Sequence, residues 1–315
     1  MINKIDRNNW TLVSDFVLLG FTENKKLKLP LFVFFSLVYF LTVLCNIGMA
    51  VIIWISPQLY VAMYIFLFNL SLLDTFFSTC ICPKMLATFI TKTHISFIEC
   101  ATQLFFGVTF GTSECFILVF MAYDRYVAIC SPLSYLVIMT NKLCFTLVTI
   151  SHITGVLHSL IHTVATFSIS FCKSKIHHFF CDIHPLLKLS CQETTTNEIL
   201  LFAFTGSITM FCIMAILLSY LCIVCAIFKI SSAGLRHRTF STCSSHLISV
   251  LLFYGSTMFT YVRPNSKYKE QDLSGSIFYT AIIPMLNPFI YSLRNRDVKN
   301  AIRKTLGARI LCNGL

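Results

Sequence analysis

Leu31-Phe-Val-Phe-Phe-Ser-Leu-Val-Tyr-Phe-Leu-Thr-Val-Leu-Cys-Asn-Ile-Gly-Met-Ala-Val-Ile-Ile-Trp54 is a run of 24 residues without a charge. A helix of about 20 apolar residues crosses a bilayer, because lipid offers no partner for unpaired backbone groups. The run is too long for the apolar core of a cleaved signal peptide, and the polar residues before it carry no small-residue cleavage site. It reads as an uncleaved signal anchor. Six further stretches of similar character follow, at 61–90, 98–123, 143–170, 199–228, 240–262 and 273–293. The fourth is interrupted by His152, His158 and His162 and by Ser and Thr, so its ends are the least defined. The expected fold is all-α, a seven-transmembrane helix bundle.

Composition agrees. The 315 residues are 56% hydrophobic and 12% charged, against about 25% charged in soluble domains. The formal charge of +11 raises nucleic acid as a partner. The cations form no stripe with interleaved aromatics, however, and most Phe lie inside the apolar runs, so no nucleic-acid interface is expected. After Leu293, the stretch Arg294-Asn-Arg-Asp-Val-Lys-Asn-Ala-Ile-Arg-Lys304 places Leu293, Val298, Ile302 and Leu306 on one helical stripe with cations around the rest. That pattern suits a short amphipathic helix on anionic membrane lipid. Three parts follow: an N-terminal tail 1–30, a membrane domain 31–293, and an interfacial helix with a tail at 294–315. No internal repeat supports an inverted-repeat transporter.

Lys and Arg divide nearly evenly between the two sides, so the positive-inside rule leaves orientation open. Asn9-Trp10-Thr11 is a glycosylation sequon usable only in the lumen, whereas Asn69-Leu70-Ser71 falls inside a span. Of the 15 Cys, Cys100, Cys172, Cys181 and Cys191 fall on the same face as the N-terminus. Disulfides persist on such a face, and four Cys allow three pairings. These signals favour an extracellular N-terminus and a plasma-membrane, multi-pass protein. Asp74 and Glu114 are the carboxylates well inside the spans. Such groups face the bundle interior and carry function. A Na⁺ ion held with oxygens from Asn46 and Asn287, protonated structural carboxyls, and a proton relay of an ion-coupled transporter or channel are the three readings. No metal-ligand pair or Ser-base arrangement suggests an enzyme, and no cofactor beyond that Na⁺ is expected.

Met121-Ala-Tyr-Asp-Arg-Tyr-Val-Ala-Ile-Cys130 resembles the end of the third helix of odorant receptors, a branch of the rhodopsin-like G-protein-coupled receptors. Pro83-Lys-Met-Leu86, His178-Phe-Phe-Cys-Asp182, Phe240-Ser-Thr-Cys-Ser-Ser-His-Leu247 and Pro284-Met-Leu-Asn-Pro-Phe-Ile-Tyr-Ser-Leu-Arg-Asn295 are similar in the same order, as is Phe16-Val-Leu-Leu-Gly-Phe21. The resemblance covers about residues 16 to 305. It implies disulfides Cys100–Cys181 and Cys172–Cys191. It implies a switch in which Arg125 pairs with Asp124 beside Tyr126 at rest, then meets the G protein on opening. The plain alternative is an interfacial charge pair. Pro288, between Asn287 and Tyr291, bends its helix, either as a hinge or as a static kink. By resemblance Tyr220 joins Tyr291 and Arg125 in the active state.

The family's odorant pocket lies between the outer halves of the helices. Leu104, Val108, Gly111 and Thr112 share one face of the third span, Phe204 and Ile208 one of the fifth, and Tyr254, Thr257, Met258 and Tyr261 one of the sixth. They are apolar with a few hydroxyls, which suits a small, neutral, volatile odorant; bundle packing is the bland reading of each. The implied partners are such a small molecule, a heterotrimeric G protein of the stimulatory olfactory type that raises cyclic AMP, and membrane lipid. His177, His178 and His184 near Cys181 invite a metal reading, which a disulfide at Cys181 disfavours. Two departures stand out. The family's Leu-His-Thr-Pro-Met-Tyr is here Leu59-Tyr60-Val61-Ala62-Met63-Tyr64, and its Gly-Asn is Cys45-Asn46. Both put efficient coupling in question, and neither the fold.

Overall fold

The computed structural model describes residues 15–22, 24–91, 93–261, 273, 275–294 and 298–304. The long helices are α1 (Lys25–Ile55), α2 (Ala62–Ile90), α3 (Phe97–Cys130), α5 (Asn141–Phe167), α7 (Thr195–Phe228) and α8 (Ala233–Tyr261). A π-helical turn, Phe278–Ile282, leads into α9 (Ile283–Arg294), and 298–304 is helical. Short helices α4 (Tyr135–Ile138) and α6 (Ile183–Leu187) lie in connections. Among the described residues, α1, α2, α3, α5 and α7 are by themselves long and apolar enough to cross a membrane. α8 and α9 complete the seven-helix bundle, α8 packing on α3, α7 and α9, and α9 on α1 and α2.

The bundle's polarity is inverted relative to a soluble protein. Phe34, Phe40 and Leu44 of α1 and Phe202, Phe211 and Leu221 of α7 are exposed, while Asn46, Asp74, Ser113, Glu114 and Asn287 are buried. Apolar surface on this scale belongs against lipid. α3 runs through the middle and contacts α2, α5, α7 and α8. Its approach to α5 is close at Gly155, where a Cβ would lie 2.5 Å from Ser113 Oγ and 2.6 Å from Thr109 O. A small residue there lets two backbones meet.

Helix ends differ from the spans read by hydropathy. α3 continues to Cys130, so Asp124, Arg125 and Tyr126 are inside the helix and not at its end. α8 starts at Ala233, about two turns before the apolar run, and α5 occupies 141–167 instead of 143–170. Hydropathy marks the bilayer, whereas helix ends are set by caps. α3 opens with a capping box in which Ser96 Oγ accepts from Glu99 N–H (3.2 Å) and Glu99 Oε2 accepts from Ser96 N–H (3.0 Å). Thr140 Oγ1 accepts from Leu143 N–H at the start of α5.

At the mouth, β1 (Asp15–Leu18) pairs antiparallel with β2 (Thr93–Ser96) and parallel with β3 (Lys175–Ile176). The chain leaves this sheet through Gly20, whose φ of +71° only glycine adopts without strain. A Cβ there would also meet Thr88 Oγ1 at 2.6 Å.

Candidate functional site

Three polar layers lie along the bundle axis. The outermost is a lid. Cys100 at the top of α3 is bonded to Cys181, and Cys172 to Cys191. Gln103, one turn below Cys100, accepts from Cys181 N–H and donates from Nε2 to Cys80 O, both at 2.9 Å, tying the loop to α3 and α2. His178 Nε2 lies 3.3 Å from Ser276 Oγ at the start of the last helix. Burial pushes the His178 imidazole down to about 3. Phe179 stacks on Phe21 (4.4 Å between centroids), which in turn stacks on Phe35 and Phe89. The lid therefore touches the N-terminal segment and helices α1, α2, α3 and the last one. Asp182 caps α6 through Ile183 N–H (2.7 Å), so the His- and Cys-rich motif is a folded loop. No group of three His, Cys, Asp or Glu placed to hold a metal occurs among the described residues.

Beneath the lid, the residues read as a ligand pocket separate into several environments. Leu104 is buried in the lid's own core with Cys181 and Leu187, and Val108 packs on its edge. A Cβ on Gly111 would meet nothing within 4 Å. Thr112 turns its hydroxyl to His158 Nδ1 (2.9 Å), while Thr205 Oγ1 lies 3.3 Å from His158 Nε2. His162 stands edge-on to both His158 and Phe204. Ile208 packs on the main core, whereas Phe204 is 42% and Met258 39% exposed. Tyr254 donates to Cys115 O on α3 (3.0 Å), and Thr257 bonds back to Phe253 O. The side chain of Tyr261, like Asn9, lies outside the described residues. In the sequence His158 and His162 carry one signal, a pair spaced by four residues, which is equally that of a helix packing face.

The middle layer joins α1, α2, α3 and α9. Asn287 Nδ2 donates to Asp74 Oδ2 (3.0 Å) and is also in reach of Glu114. Pro288 has no N–H, so the carbonyl of Pro284 loses its helical donor. Asn46 Nδ2 takes that place at 2.8 Å. The kink is therefore braced from α1 by the amide of Asn46.

The inner layer holds Arg125. Its Nη2 lies 3.5 Å from Asp124 Oδ2, and Tyr135 donates to Asp124 Oδ1 (2.8 Å). Burial, then the Asp124 carboxylate, push the Tyr135 phenol up, so it remains a donor. Tyr220 does not reach Arg125 here. Its hydroxyl lies 2.8 Å from His246 Nδ1 and 3.2 Å from Cys243 O. His246 Nε2 faces the carbonyl of Leu118 at 3.0 Å, and a carbonyl only accepts. Nε2 therefore carries the proton, and Nδ1 accepts from Tyr220. One imidazole joins α8, α7 and α3. Tyr135 and His246 are both brought to their partners by the packing of the bundle.

A lid-covered seven-helix bundle, with a kinked last helix and an Asp-Arg pair at its inner end, defines a rhodopsin-like transmembrane receptor. Squid rhodopsin has the same fold, with a TM-score of 0.69 at 18% identity, covering 92% of this chain and 88% of that one. The family model described as olfactory receptor matches residues 35–309, and the chain belongs to that family. Mouse (Mus musculus) olfactory receptor 5T17 is 50% identical over 307 residues, 96% of this chain and 95% of its own length. Mouse olfactory receptor 5AR1 is 49% identical over 308 residues, 97% and 99% of the two chains. Human (Homo sapiens) olfactory receptor 5H8 is 47% identical over 310 residues, 97% and 100%. The chain is thus an odorant-sensing G-protein-coupled receptor, a multi-pass plasma-membrane protein and not an enzyme, whose partners are a small molecule and a G protein.

Proposed function

We propose that this receptor takes a small, uncharged, mostly apolar volatile molecule between the outer halves of α3, α7 and α8. Binding activates a stimulatory G protein of the olfactory type and raises cyclic AMP. The ligand-facing set is Leu104, Val108, Gly111, Thr112, Phe204, Ile208, Tyr254, Thr257, Met258 and Tyr261. The observation that carries the reading is the set of apolar and hydroxyl-bearing side chains beneath a disulfide-tied lid, with Leu104 and Val108 in the lid's own cluster and Thr112 holding His158 with its hydroxyl. The interior carboxylates Asp74 and Glu114 are both in reach of the Asn287 amide in the middle layer, and the ligand-facing set itself holds no carboxylate to pair with an amine. Asp124, Arg125, Tyr126, Tyr220, Asn287, Pro288 and Tyr291 form the switch. A broad odorant panel on cells with a cyclic-AMP reporter and a trafficking chaperone tests this. Ligand-dependent cyclic AMP without ion current supports the receptor; a ligand-gated current that survives Arg125→Ala would point to a channel.

The same reading places the N-terminal tail 1–30 outside, with a glycan on Asn9, the receptor domain at 31–293, and 294–315 on the inner leaflet. Glycosidase should shift the gel mobility of the wild type and leave Asn9→Gln unmoved. The middle layer fits a Na⁺ ion by the chemistry of its donors. Asn46 Oδ1, Asp74 Oδ1, Glu114 Oε1 and Asn287 Oδ1 are buried oxygens without a hydrogen-bond donor. Hard oxygens of this kind are what an alkali cation takes. Asp74 and Glu114 would hold the ion, whose charge would stabilise the resting packing of α2, α3 and α9. Na⁺ should raise the melting temperature of the ligand-free receptor relative to choline, and Asp74→Asn should remove the difference.

A further inference from the structure

Among the described residues ten cysteines are free of disulfides, and Cys222 and Cys225 are the two exposed ones. Free Cys is ordinarily among the most buried residue types, so packing does not account for an exposed pair. Both stand near the C-terminal end of α7. Ile223 and Ile227 of the same turns are buried and pack with Cys243 of α8, which fixes the rotation of the helix. The other face carries Leu221, Val224 and Phe228, exposed at 62%, 43% and 76%. Cys225 lies in the middle of this stripe, at i+4 from Leu221 and i−3 from Phe228. In a bundle whose apolar surface belongs against lipid, the Cys225 thiol faces acyl chains.

Depth follows from two neighbours. Cys130 is the last residue of α3, and its Sγ donates to Cys222 O at 3.6 Å, so the pair lies level with the inner end of α3. Lys229 is exposed, caps α7, and is the first charge after the apolar run 199–228. Cys225 precedes it by four residues, about 6 Å along the axis. That is the zone where headgroups meet hydrocarbon. We propose that Cys225 is an S-acylation site that takes one long fatty-acyl chain in thioester linkage. The assignment rests on the reading that the inner end of α3 faces the cytosol. Juxtamembrane cysteines are where reversible S-acylation falls. The Cys225 sulfur attacks the thioester carbonyl of a long-chain acyl-coenzyme A, brought by a membrane acyltransferase. A sulfur–carbon bond forms and the bond to coenzyme A breaks. Coenzyme A leaves as its thiol with the proton that Cys225 gives up, and nothing is oxidised or reduced. The attached chain runs beside the exposed Leu221, Leu218 and Leu217 towards the bilayer centre. It fastens to the leaflet the end of α7 whose Tyr220 contacts His246. Cys130 is the poorer acceptor, half-buried with its thiol turned on to α7.

Mass spectrometry of the full-length receptor from cells fed alkyne-palmitate tests this. Chymotrypsin cuts after Leu221 and Phe228, so one peptide, 222–228, carries both thiols. The wild-type peptide should hold one acyl group that neutral hydroxylamine removes, as it does a thioester. Cys225→Ser should lose that group, whereas Cys222→Ser and Cys130→Ser should keep it. Cys225 is exposed, so its replacement should leave the amount of folded receptor unchanged; Cys225→Ala, with the same loss of label, separates the missing thiol from any effect of the new hydroxyl. Endogenous S-acylated proteins in the same cells serve as the positive control. A free Cys225 thiol beside labelled endogenous proteins overturns the proposal, as does a bond between Cys225 and Cys130. Label that survives Cys225→Ser and disappears in Cys222→Ser overturns the choice of residue. Glycosylation of Asn9 reads the orientation separately. A glycosylated Asn9 with an unacylated Cys225 sinks the site alone, whereas an unglycosylated Asn9 with an unacylated Cys225 sinks the orientation with it.

Discussion

His246 and Asn46 do more than fill space, and each acts through one atom pair that helix packing alone creates. His246 holds the hydroxyl of Tyr220 with Nδ1 and the carbonyl of Leu118 with Nε2. Its ring lies parallel to that of Tyr220. His246→Phe keeps the stack and deletes both hydrogen bonds. Net values near 1 kcal/mol for each bond predict a rise in ligand-free cyclic AMP of up to roughly thirtyfold, normalised to surface receptor; unaltered basal output would show that Tyr220 is not restrained there. Asn46→Leu strands the Pro284 carbonyl, which Pro288 has already deprived of its helical donor. An orphaned buried acceptor costs about 1–3 kcal/mol. A melting temperature lowered by several degrees is expected, and Asn46→Gln, too long for the same contact, should not restore it.

At the level of elements, the connection between α1 and α2 shows how a departure from the family pattern plays out. Val61 is the N-cap of α2 and supplies no side-chain acceptor, and Ala62 is the first residue of the helix. Val61→Thr adds a cap hydroxyl, and Ala62→Pro fits a position whose N–H has no helical partner. Together they should stabilise the N-terminal end of α2 by about 1 kcal/mol. Tyr60 is different, because its hydroxyl bonds to Trp54 O. Tyr60→His gives up that contact, so the pair Val61→Thr, Ala62→Pro should raise maximal cyclic AMP per surface receptor more than the triple change does. Equal output from the pair and the parent would retire the idea that this loop limits coupling. The spacing of Leu59 to Tyr64 showed the departure; only the backbone at Ile55–Ala62 showed which residue of it has a new partner.

For the whole molecule, the lid is the piece that closes many contacts at once. The His178 imidazole is held near 3 by burial, against about 6.5 when free. A depressed imidazole favours the folded form at neutral pH. Below the free value the unfolded loop takes up the proton and the folded one does not, so lid stability falls as pH drops from about 6.5 towards 3. By about pH 5 the loss is roughly 2 kcal/mol. Hydrogen-exchange protection over residues 171–191, taken relative to the intrinsic rate at each pH, should fall on acidification in the wild type and much less in His178→Gln. Protection independent of pH would mean that His178 is not sealed in. Cys100→Ser or Cys181→Ser removes the tie between α3 and the same loop. A native disulfide commonly contributes about 2–5 kcal/mol, and the expected result is loss of surface delivery, scored by flow cytometry on an N-terminal tag. Seven spans, two interior carboxylates and the family motifs were legible because bilayer thickness and the cost of charge in lipid act on single segments. Those constraints are local and leave their mark residue by residue. The roles of His246, Asn46, Gln103 and His158 were not legible, because each is defined by an atom on another helix, tens to hundreds of residues away. Helix periodicity says which residues face inward; only the packed bundle decides which carbonyl, hydroxyl or void each one meets.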